Sequence, residues 1–258
     1  MNKTKIEWCD STWNPVTGCL HGCEYCYARK IANRFGTIDK IIESAAEEGI
    51  DLGSAYFSNP DCFSELNEPV RDENGKIKPY PYNFYPTLHR YRLDIPKKWS
   101  KPRTIFVCSM ADLFGDWVPD EWIEAVFEAC RKAPQHRYLF LTKNPKRYKE
   151  LADKEQLPRS DNMWYGSTVT AMENYFISKK SFNTFLSIEP MFAPISPLTI
   201  NGVKWLIIGA ETGNRKNKVV PEKTWIGNIC TSANVPIFMK DSLIPIVGEK
   251  NMRREYPF

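Results

Sequence analysis

The segment Tyr138-Leu139-Phe140-Leu141-Thr142-Lys143 is a short apolar run that ends in polar residues. Because its apolar residues are continuous and do not alternate with polar ones, the run predicts a β-strand covered on both faces. Asn144 and Pro145 follow as a helix N-cap and a first helical position. The segment therefore predicts a strand followed by a helix, which is the repeating unit of a parallel α/β sheet.

The same pattern recurs on both sides of this segment. Asp120–Cys130 and Glu222–Ala233 have the spacing of amphipathic helices between such runs. With a strand around Trp13–Thr17, about seven strands are expected, and α/β alternation of this kind favours a partial (βα)6–7, TIM-like barrel. The other runs are Thr104–Ser109, Trp164–Val169, Thr184–Glu189, Trp205–Glu211 and Pro236–Asp241.

Polar residues stand at or beside the carboxyl ends of these runs. In a parallel barrel the carboxyl ends of the strands meet at one mouth, so such residues are candidates to line a cavity. Ordinary solvation of loops would give the same pattern at any single strand. The residues are Ser109, Lys143, Ser167, Glu189, Glu211 and Lys240.

Length and composition predict a single domain. The chain has 258 residues, 42% of them hydrophobic, which suffices for one large core over residues 1–258. Residues 35–103 read as an insertion after the first βα unit, with a helix over Ile38–Glu48. No apolar run approaches the roughly 20 residues that span a bilayer, and no signal peptide follows Met1, so we expect a cytoplasmic protein without a membrane partner.

Three cysteines lie within eight residues, at Cys19, Cys23 and Cys26, in the spacing C-x3-C-x2-C. Three thiolates can hold three irons of a four-iron, four-sulfur (4Fe-4S) cluster and leave the fourth iron open, whereas most such clusters have a fourth cysteine. A zinc site with His21 as its fourth ligand and scattered structural cysteines are the alternatives. Cys62 is the isolated cysteine that could approach the mouth.

This spacing, with Tyr25 just before the third cysteine, resembles the signature of the radical S-adenosylmethionine (SAM) superfamily. The resemblance implies a 4Fe-4S cluster held by Cys19, Cys23 and Cys26, with SAM bound at the open iron. It further implies a 5′-deoxyadenosyl radical that takes a hydrogen atom from a substrate, and a reductase or a ferredoxin- or flavodoxin-type protein as electron donor.

Two shorter features are similar to the spore photoproduct lyase branch of that superfamily. They are Tyr25-Cys26-Tyr27 in the cysteine loop and Thr142-Lys143 at a strand tip. The likeness implies that Lys143 meets the SAM carboxylate and that Ser167 meets its ribose or carboxylate.

For the polar residues at the other strand ends, two interpretations each remain open. The usual Gly-Gly-Glu of the second strand is absent, so either Ser109 or Asp112 takes the SAM amine. Glu189 and Glu211 either bind a ribose diol or a substrate amine, or pair with Lys143 or Lys240 in a structural ion network.

A longer resemblance runs nearly end to end. The segments Ile6–Trp8, Thr12–Cys19, Ser187–Pro190 and Ile208–Gly213 resemble a phage- and mobile-element-borne radical SAM family of unassigned function. Cys9 stands where that family has Thr, so Cys9 is not expected to be a cluster ligand.

The insertion suggests a substrate class. The aromatic, proline-rich segment Pro79–Pro86 leads into His89–Arg92 and Lys97–Arg103, where basic residues are interleaved with aromatic ones, a composition that suits a nucleic-acid groove. The leading hypothesis is a nucleobase or nucleotide substrate, free or in nucleic acid, although the net charge of +4 does not demand one. The alternatives are a peptide or small-metabolite substrate, and a non-catalytic iron–sulfur or zinc protein.

Overall fold

The computed structural model describes residues 4–36, 65–171 and 182–258. Cys62 and the helix expected over Ile38–Glu48 lie outside the described residues. The chain divides into two compact units, and each is described by itself. The first unit comprises Met1–Ser11, Pro102–Phe106 and Gln135–Phe258, and the second comprises Thr12–Lys101 and Val107–Pro134.

The described residues form ten β-strands and five α-helices, with short 3-10 turns between some of them. The strands are β1 Ser11–Trp13, β2 Val16–Thr17, β3 Glu65–Leu66, β4 Thr87–His89, β5 Thr104–Val107, β6 Arg137–Thr142, β7 Met163–Thr168, β8 Asn183–Ile188, β9 Trp205–Ile208 and β10 Ile237–Met239. The helices are α1 Tyr27–Phe35, α2 Asp120–Arg131, α3 Pro145–Asp153, α4 Lys223–Ser232 and α5 Ile244–Val247.

Seven of these strands form one sheet in the order β1-β5-β6-β7-β8-β9-β10, with parallel pairing from β5 to β10. The predicted TIM-like barrel is wrong. A barrel closes only when its first and last strands pair, and within the described ranges the strand neighbours of β1 and β10 are β5 and β9 alone. The sheet is open.

The C-terminal tail explains why β10 ends the sheet. Residues Arg253–Glu255 run antiparallel along the outer edge of β10, where the N–H of Met239 donates to the carbonyl of Arg253 at 2.8 Å. That edge is therefore already hydrogen-bonded and cannot accept another strand. The connection from β8 to β9 also carries a 3-10 turn at Pro197–Ile200 where a barrel would have a helix.

The two faces of the sheet in the first unit differ in character, because successive side chains of a strand point to opposite faces. Leu186, Leu206 and Ile237 lie side by side in register and pack with Ile226 and Ile229 of α4. We call this the helix-covered face. On the opposite, aromatic face lies a cluster that includes Trp8, Phe106, Trp164, Phe185, Trp205 and Phe238.

In the second unit, β2, β4 and β3 form a small mixed sheet that the sequence reasoning missed. His89 of β4 is buried, and its Nε2 lies 2.9 Å from the hydroxyl of Thr17. Its Nδ1 lies 3.2 Å from the hydroxyl of Tyr91. Burial, together with the nearby Arg92 cation, lowers the pKa of His89 to about 3, so this side chain is a neutral member of the network.

None of the helices within the described ranges has the length and apolar character needed to cross a bilayer. The expected single domain with an insertion over residues 35–103 stays a prediction.

Candidate functional site

The cysteine loop of the second unit begins at Gly18, directly after β2. Gly18 has a φ of +90°, and a Cβ at this position would come within 2.1 Å of the Tyr85 carbonyl oxygen. Glycine is therefore the residue that permits this close approach. The N–H of Gly18 donates to the carbonyl of Met110 at 2.9 Å, and the N–H of Cys19 donates to that of Phe84 at 3.0 Å. These bonds hold the start of the loop in place.

The loop ends at Cys26, which is the N-cap of α1. Its Sγ accepts a hydrogen bond from the N–H of Arg29 at 3.4 Å, as a capping side chain does. The guanidinium of Arg29 donates to the carbonyl of Cys19 at 3.5 Å and lies over the ring of Phe84. One arginine thus spans the loop from its first cysteine to its last.

The three cysteines of the loop are free thiols that are partly buried. Burial raises the pKa of the Cys19 thiol to about 12, a backbone hydrogen bond from His21 opposes this, and the charges of Asp112, Cys23 and Cys26 raise it further. The Cys19 thiol is therefore affected by the charges of both other cysteines of the loop. Three neighbouring thiolates become stable together when a metal or cluster compensates their charge.

The described ranges contain no group of three or more His, Cys, Asp or Glu side chains gathered closely enough to hold a metal ion. As a set of donors, however, the three thiols fit an iron–sulfur cluster. Cys19 and Cys26 pack against a small apolar cluster formed by Ala28, Ala32, Phe84 and Met110. Amide hydrogen bonds to sulfur and shielding from solvent are the features by which proteins tune such clusters.

Asp112 joins the middle of this loop. Its Oδ2 lies 2.8 Å from Nε2 of His21, and its Oδ1 accepts from the N–H of Phe114 at 3.0 Å. The ring of His21 meets that of Trp117 edge-on at 4.9 Å. Both carboxylate oxygens thus have protein partners, and His21 serves as a partner of Asp112.

Ser109, the other candidate for the SAM amine, lies in the same unit. Its hydroxyl donates to Oδ1 of Asn14 at 3.2 Å, and its carbonyl accepts from the hydroxyl of Tyr27 at 2.9 Å. Tyr25 is half-buried in the loop. The second unit therefore brings together the three cysteines, Tyr25, Ser109 and Asp112.

The remaining predicted residues lie in the first unit, at the carboxyl ends of its strands. Thr142 is in register with Ser167, and Thr168 with Ser187. Thr168 and Ser187 therefore lie side by side on the aromatic face, because they alternate with residues of the helix-covered face, and Lys143 follows directly after β6. Thr168 and Ser187 are both buried. We call these three residues the polar row.

Ser167 lies on the other face. It shares that face with Tyr165, whose ring stacks on Phe140 at 5.6 Å and meets Tyr148 of α3 edge-on at 5.4 Å. The sequence singled out Ser167 as a candidate, whereas Thr168 and Ser187 are the hydroxyls on the aromatic face. Because successive side chains of a strand point to opposite faces, counting back along β7 from its last residue would have assigned Ser167 and Thr168 to different faces.

Glu189 and Lys240 form an ion pair just beyond the polar row, with both side chains about four-fifths buried. Gly209 lies beneath them, since a Cβ there would come within 3.1 Å of Lys240 Cδ and 3.2 Å of the Glu189 carboxyl carbon. Of the two interpretations of Glu189, the structure contains the ion pair, with Lys240 as the partner.

Glu211 has a different partner from those expected. Its two carboxylate oxygens accept from Nε and a terminal nitrogen of Arg215, each at 2.7 Å, and its side chain is only 2% exposed. These hydrogen bonds lower the pKa of Glu211 below its usual value. Arg215 in turn lies over the ring of Phe192.

Several basic residues of the insertion are engaged inside the second unit. Nε of Arg90 donates to Glu65 at 2.6 Å, and Glu65 also accepts from the indole of Trp122 at 2.9 Å. Arg92 donates to the carbonyls of Asn14 and Pro79. Within residues 89–103 the exposed cations are Arg90, which is paired with Glu65, and Lys97, Lys98 and Lys101.

Comparison with known proteins gives one match. A family model described as a protein of unknown function (DUF5131) matches residues 3–244. No curated protein and no solved structure matches the chain. Because the family model covers nearly the whole sequence, the chain belongs to the DUF5131 family.

Proposed function

We propose that this protein is a radical SAM enzyme. The observation that carries the proposal is the cysteine loop, in which Cys19, Cys23 and Cys26 fall within eight residues between a glycine turn and the first turn of α1. Three thiols offer one ligand fewer than a closed 4Fe-4S cluster requires. A site of this composition suits a cluster that keeps one iron open to a small molecule.

A 4Fe-4S cluster bound there would supply the electron that cleaves SAM, and the resulting 5′-deoxyadenosyl radical would abstract the substrate hydrogen atom. The chain's own contribution is to place the ligands. Gly18 and Arg29 hold the two ends of the loop, and the His21–Asp112 pair holds its middle. The Cys26 sulfur also accepts a hydrogen bond from the first turn of α1, which fixes its position.

For SAM itself we propose the polar row of the first unit. The Lys143 ammonium suits the carboxylate of the amino-acid part, and the Thr168 and Ser187 hydroxyls suit its hydrogen-bonding groups. This assignment keeps Lys143 from the sequence reasoning and replaces Ser167 with residues on the aromatic face.

For the substrate we propose a nucleobase or nucleotide, free or in nucleic acid. Since Arg90 and Arg92 are engaged internally, the proposal relies on Lys97, Lys98 and Lys101 as phosphate-binding cations. Reduced thiols and an oxygen-sensitive cluster also suit a cytoplasmic location.

Anaerobic reconstitution with iron and sulfide tests the cofactor. The wild-type protein should become brown and bind four irons and four sulfides, and Cys19→Ala, Cys23→Ala and Cys26→Ala should each lose the chromophore. Cys9→Ala is the matched control, because Cys9 packs against the aromatic cluster of the first unit. Zinc in place of iron, or equal loss in Cys9→Ala, would refute the cluster assignment.

The activity is tested by adding SAM and dithionite to the reconstituted protein. Release of 5′-deoxyadenosine is expected from the wild type and not from the cysteine variants. A protein that carries the cluster but releases none would be a non-catalytic iron–sulfur protein. Binding to DNA or RNA that weakens with salt and with Lys97→Ala/Lys98→Ala/Lys101→Ala would support the nucleic-acid substrate, and its absence would favour a peptide or small metabolite.

A further inference from the structure

Helix α1 exposes an apolar and basic surface. Tyr27, Ile31 and Phe35 are 52%, 39% and 53% exposed, and Lys30 and Arg34 are exposed beside them. The five residues have the spacing i, i+3, i+4, i+7 and i+8, which puts them on one side of a helix. We call this surface the α1 face.

Large apolar side chains are rarely grouped on a surface without a partner. Leu20, which lies between the first two cysteines of the loop, is also 53% exposed. The buried positions of α1 are Ala28 and Ala32, which contact the cluster around Phe84 and Met110. The helix therefore packs through its small residues and presents its large ones to solvent.

The charge of this surface has one sign. Helix α1 contains Arg29, Lys30 and Arg34 and no acidic residue. Across residues 19–36 the single carboxylate is Glu24. A partner with an acidic surface would therefore be attracted to the α1 face, and the attraction would weaken with salt.

The α1 face lies next to the cysteine loop. The helix begins directly after Cys26, and at a rise of 1.5 Å per residue Phe35 is about 14 Å from Cys26 along the helix axis. A protein bound across the face would thus sit beside the thiols. Electron-transfer partners use small, weak interfaces, typically below about 1,200 Å², and one helix face suits that size.

We propose that the α1 face is the docking surface of a small, acidic, one-electron carrier protein. The inference rests on the proposed function, because it gives the cysteine loop a source of electrons. In the transfer the carrier loses one electron and the cluster gains one, and no bond or proton is exchanged. The apolar residues supply contact area, and Lys30 and Arg34 supply orientation and the rate of association.

A binding measurement tests the surface without any turnover. Oxidised flavodoxin, as an acidic probe, is titrated into the reconstituted wild type and into Lys30→Glu/Arg34→Glu and Ile31→Ser/Phe35→Ser. The flavodoxin affinity of each double variant should be lower than that of the wild type by a factor of about ten or more, which is a loss of about 1.4 kcal/mol or more. Binding of flavodoxin to the wild type should weaken as salt is added. The matched control is Lys250→Glu/Leu198→Ser, which changes an exposed lysine and an exposed leucine of the first unit and should bind as the wild type does.

A kinetic measurement separates this inference from the proposed function. With dithionite as reductant, the α1-face variants should release 5′-deoxyadenosine at the wild-type rate. With flavodoxin, its reductase and NADPH, they should be about tenfold slower, in keeping with the lost affinity. If the wild type releases none with dithionite, the proposed function fails while the binding result still decides the docking surface.

Two outcomes would overturn the docking proposal. One is equal flavodoxin affinity in the wild type and both α1-face variants. The other is loss of nucleic-acid binding or of self-association in those variants while flavodoxin binding is unchanged, which would assign the face to a different partner.

Discussion

Nε2 of His21 lies 2.8 Å from Oδ2 of Asp112, and the Asp112 side chain is only 7% exposed. This pair ties the middle of the cysteine loop to the segment that follows β5. Because His21 stands between two of the three thiols, its position affects the path of the whole loop.

We expect His21→Ala to lower the free energy of unfolding by about 1–2 kcal/mol, since it removes a partner from a buried carboxylate. If the proposed cluster binds at the loop, His21→Ala should also lose its iron to a chelator faster than the wild type. His21→Gln, which can still donate to Asp112, should restore part of both.

A double-mutant cycle with Asp112→Asn supplies the control. If the pair acts as a unit, the effects of the single variants on iron loss will not add. Additive effects would show that His21 and Asp112 act on the loop independently.

The buried His89 predicts a pH dependence of stability. Its pKa is about 3 in the folded chain and about 6.5 when unfolded. Between these values the unfolded chain binds a proton that the folded chain does not. The free energy of unfolding should therefore fall as the pH drops from about 6.5 towards 3, by up to about 1.4 kcal/mol per pH unit from this group.

Urea unfolding of the wild type and His89→Gln across that range isolates the contribution. The glutamine variant keeps hydrogen-bonding groups near Thr17 and Tyr91 but does not titrate. The free energy of unfolding of the wild type, minus that of His89→Gln, should increase as the pH rises from 3 towards 6.5. Parallel curves would mean that His89 does not titrate differently in the two states.

If SAM binds at the polar row as we propose, the row predicts which hydroxyls contribute to its affinity. Thr168→Val and Ser187→Ala should each weaken SAM binding about two- to tenfold, the value of one hydrogen bond. Ser167→Ala should leave it unchanged, because Ser167 lies on the helix-covered face with Tyr165. Equilibrium dialysis with labelled SAM measures all three, and a larger loss in Ser167→Ala would contradict the assignment of faces.

The Glu211–Arg215 pair predicts a contribution to stability in the first unit. Arg215→Met should lower the free energy of unfolding by about 1–3 kcal/mol at neutral pH, because it leaves a buried carboxylate without its cation. Glu211→Gln/Arg215→Met should recover part of that loss. Thermal or urea unfolding compares the variants.

The pH dependence of this pair's contribution to the free energy of unfolding follows from the lowered pKa of Glu211. Its contribution is present above the unfolded pKa of about 4.3 and is lost as the pH falls through the lower folded value. The wild type and Arg215→Met should therefore converge in stability in acid. A gap that stays constant down to acid would show that the arginine acts through packing against Phe192 alone.

The strands of the first unit could be predicted because they are continuous apolar runs. The run Tyr138–Lys143 gives β6 within one residue, and Asp120–Cys130 gives α2. Local composition determines such elements, because both faces of the strands are buried. The cysteine loop was also recognisable, because its spacing is local in sequence.

Closure of the sheet could not be predicted in the same way. It depends on which segment takes the outer edge of β10, and Arg253–Glu255 takes it through backbone bonds that carry no side-chain signature. The small sheet of the second unit was missed because β2 and β3 have two residues each. The partners of His21 and Glu211 could not be predicted, because the sequence does not show which of several charged residues comes closest in the folded chain.

Cys26 is at once the third thiol of the loop and the residue whose sulfur caps α1. Any change at that sulfur therefore acts on the first turn of the helix, in which the N–H of Arg29 donates to it. If a cluster binds at the loop as proposed, its assembly and the ordering of residues 27–35 would be thermodynamically linked. Loss of the cap in a Cys26→Ala variant should therefore loosen the first turn of α1 as well as remove one thiol of the loop.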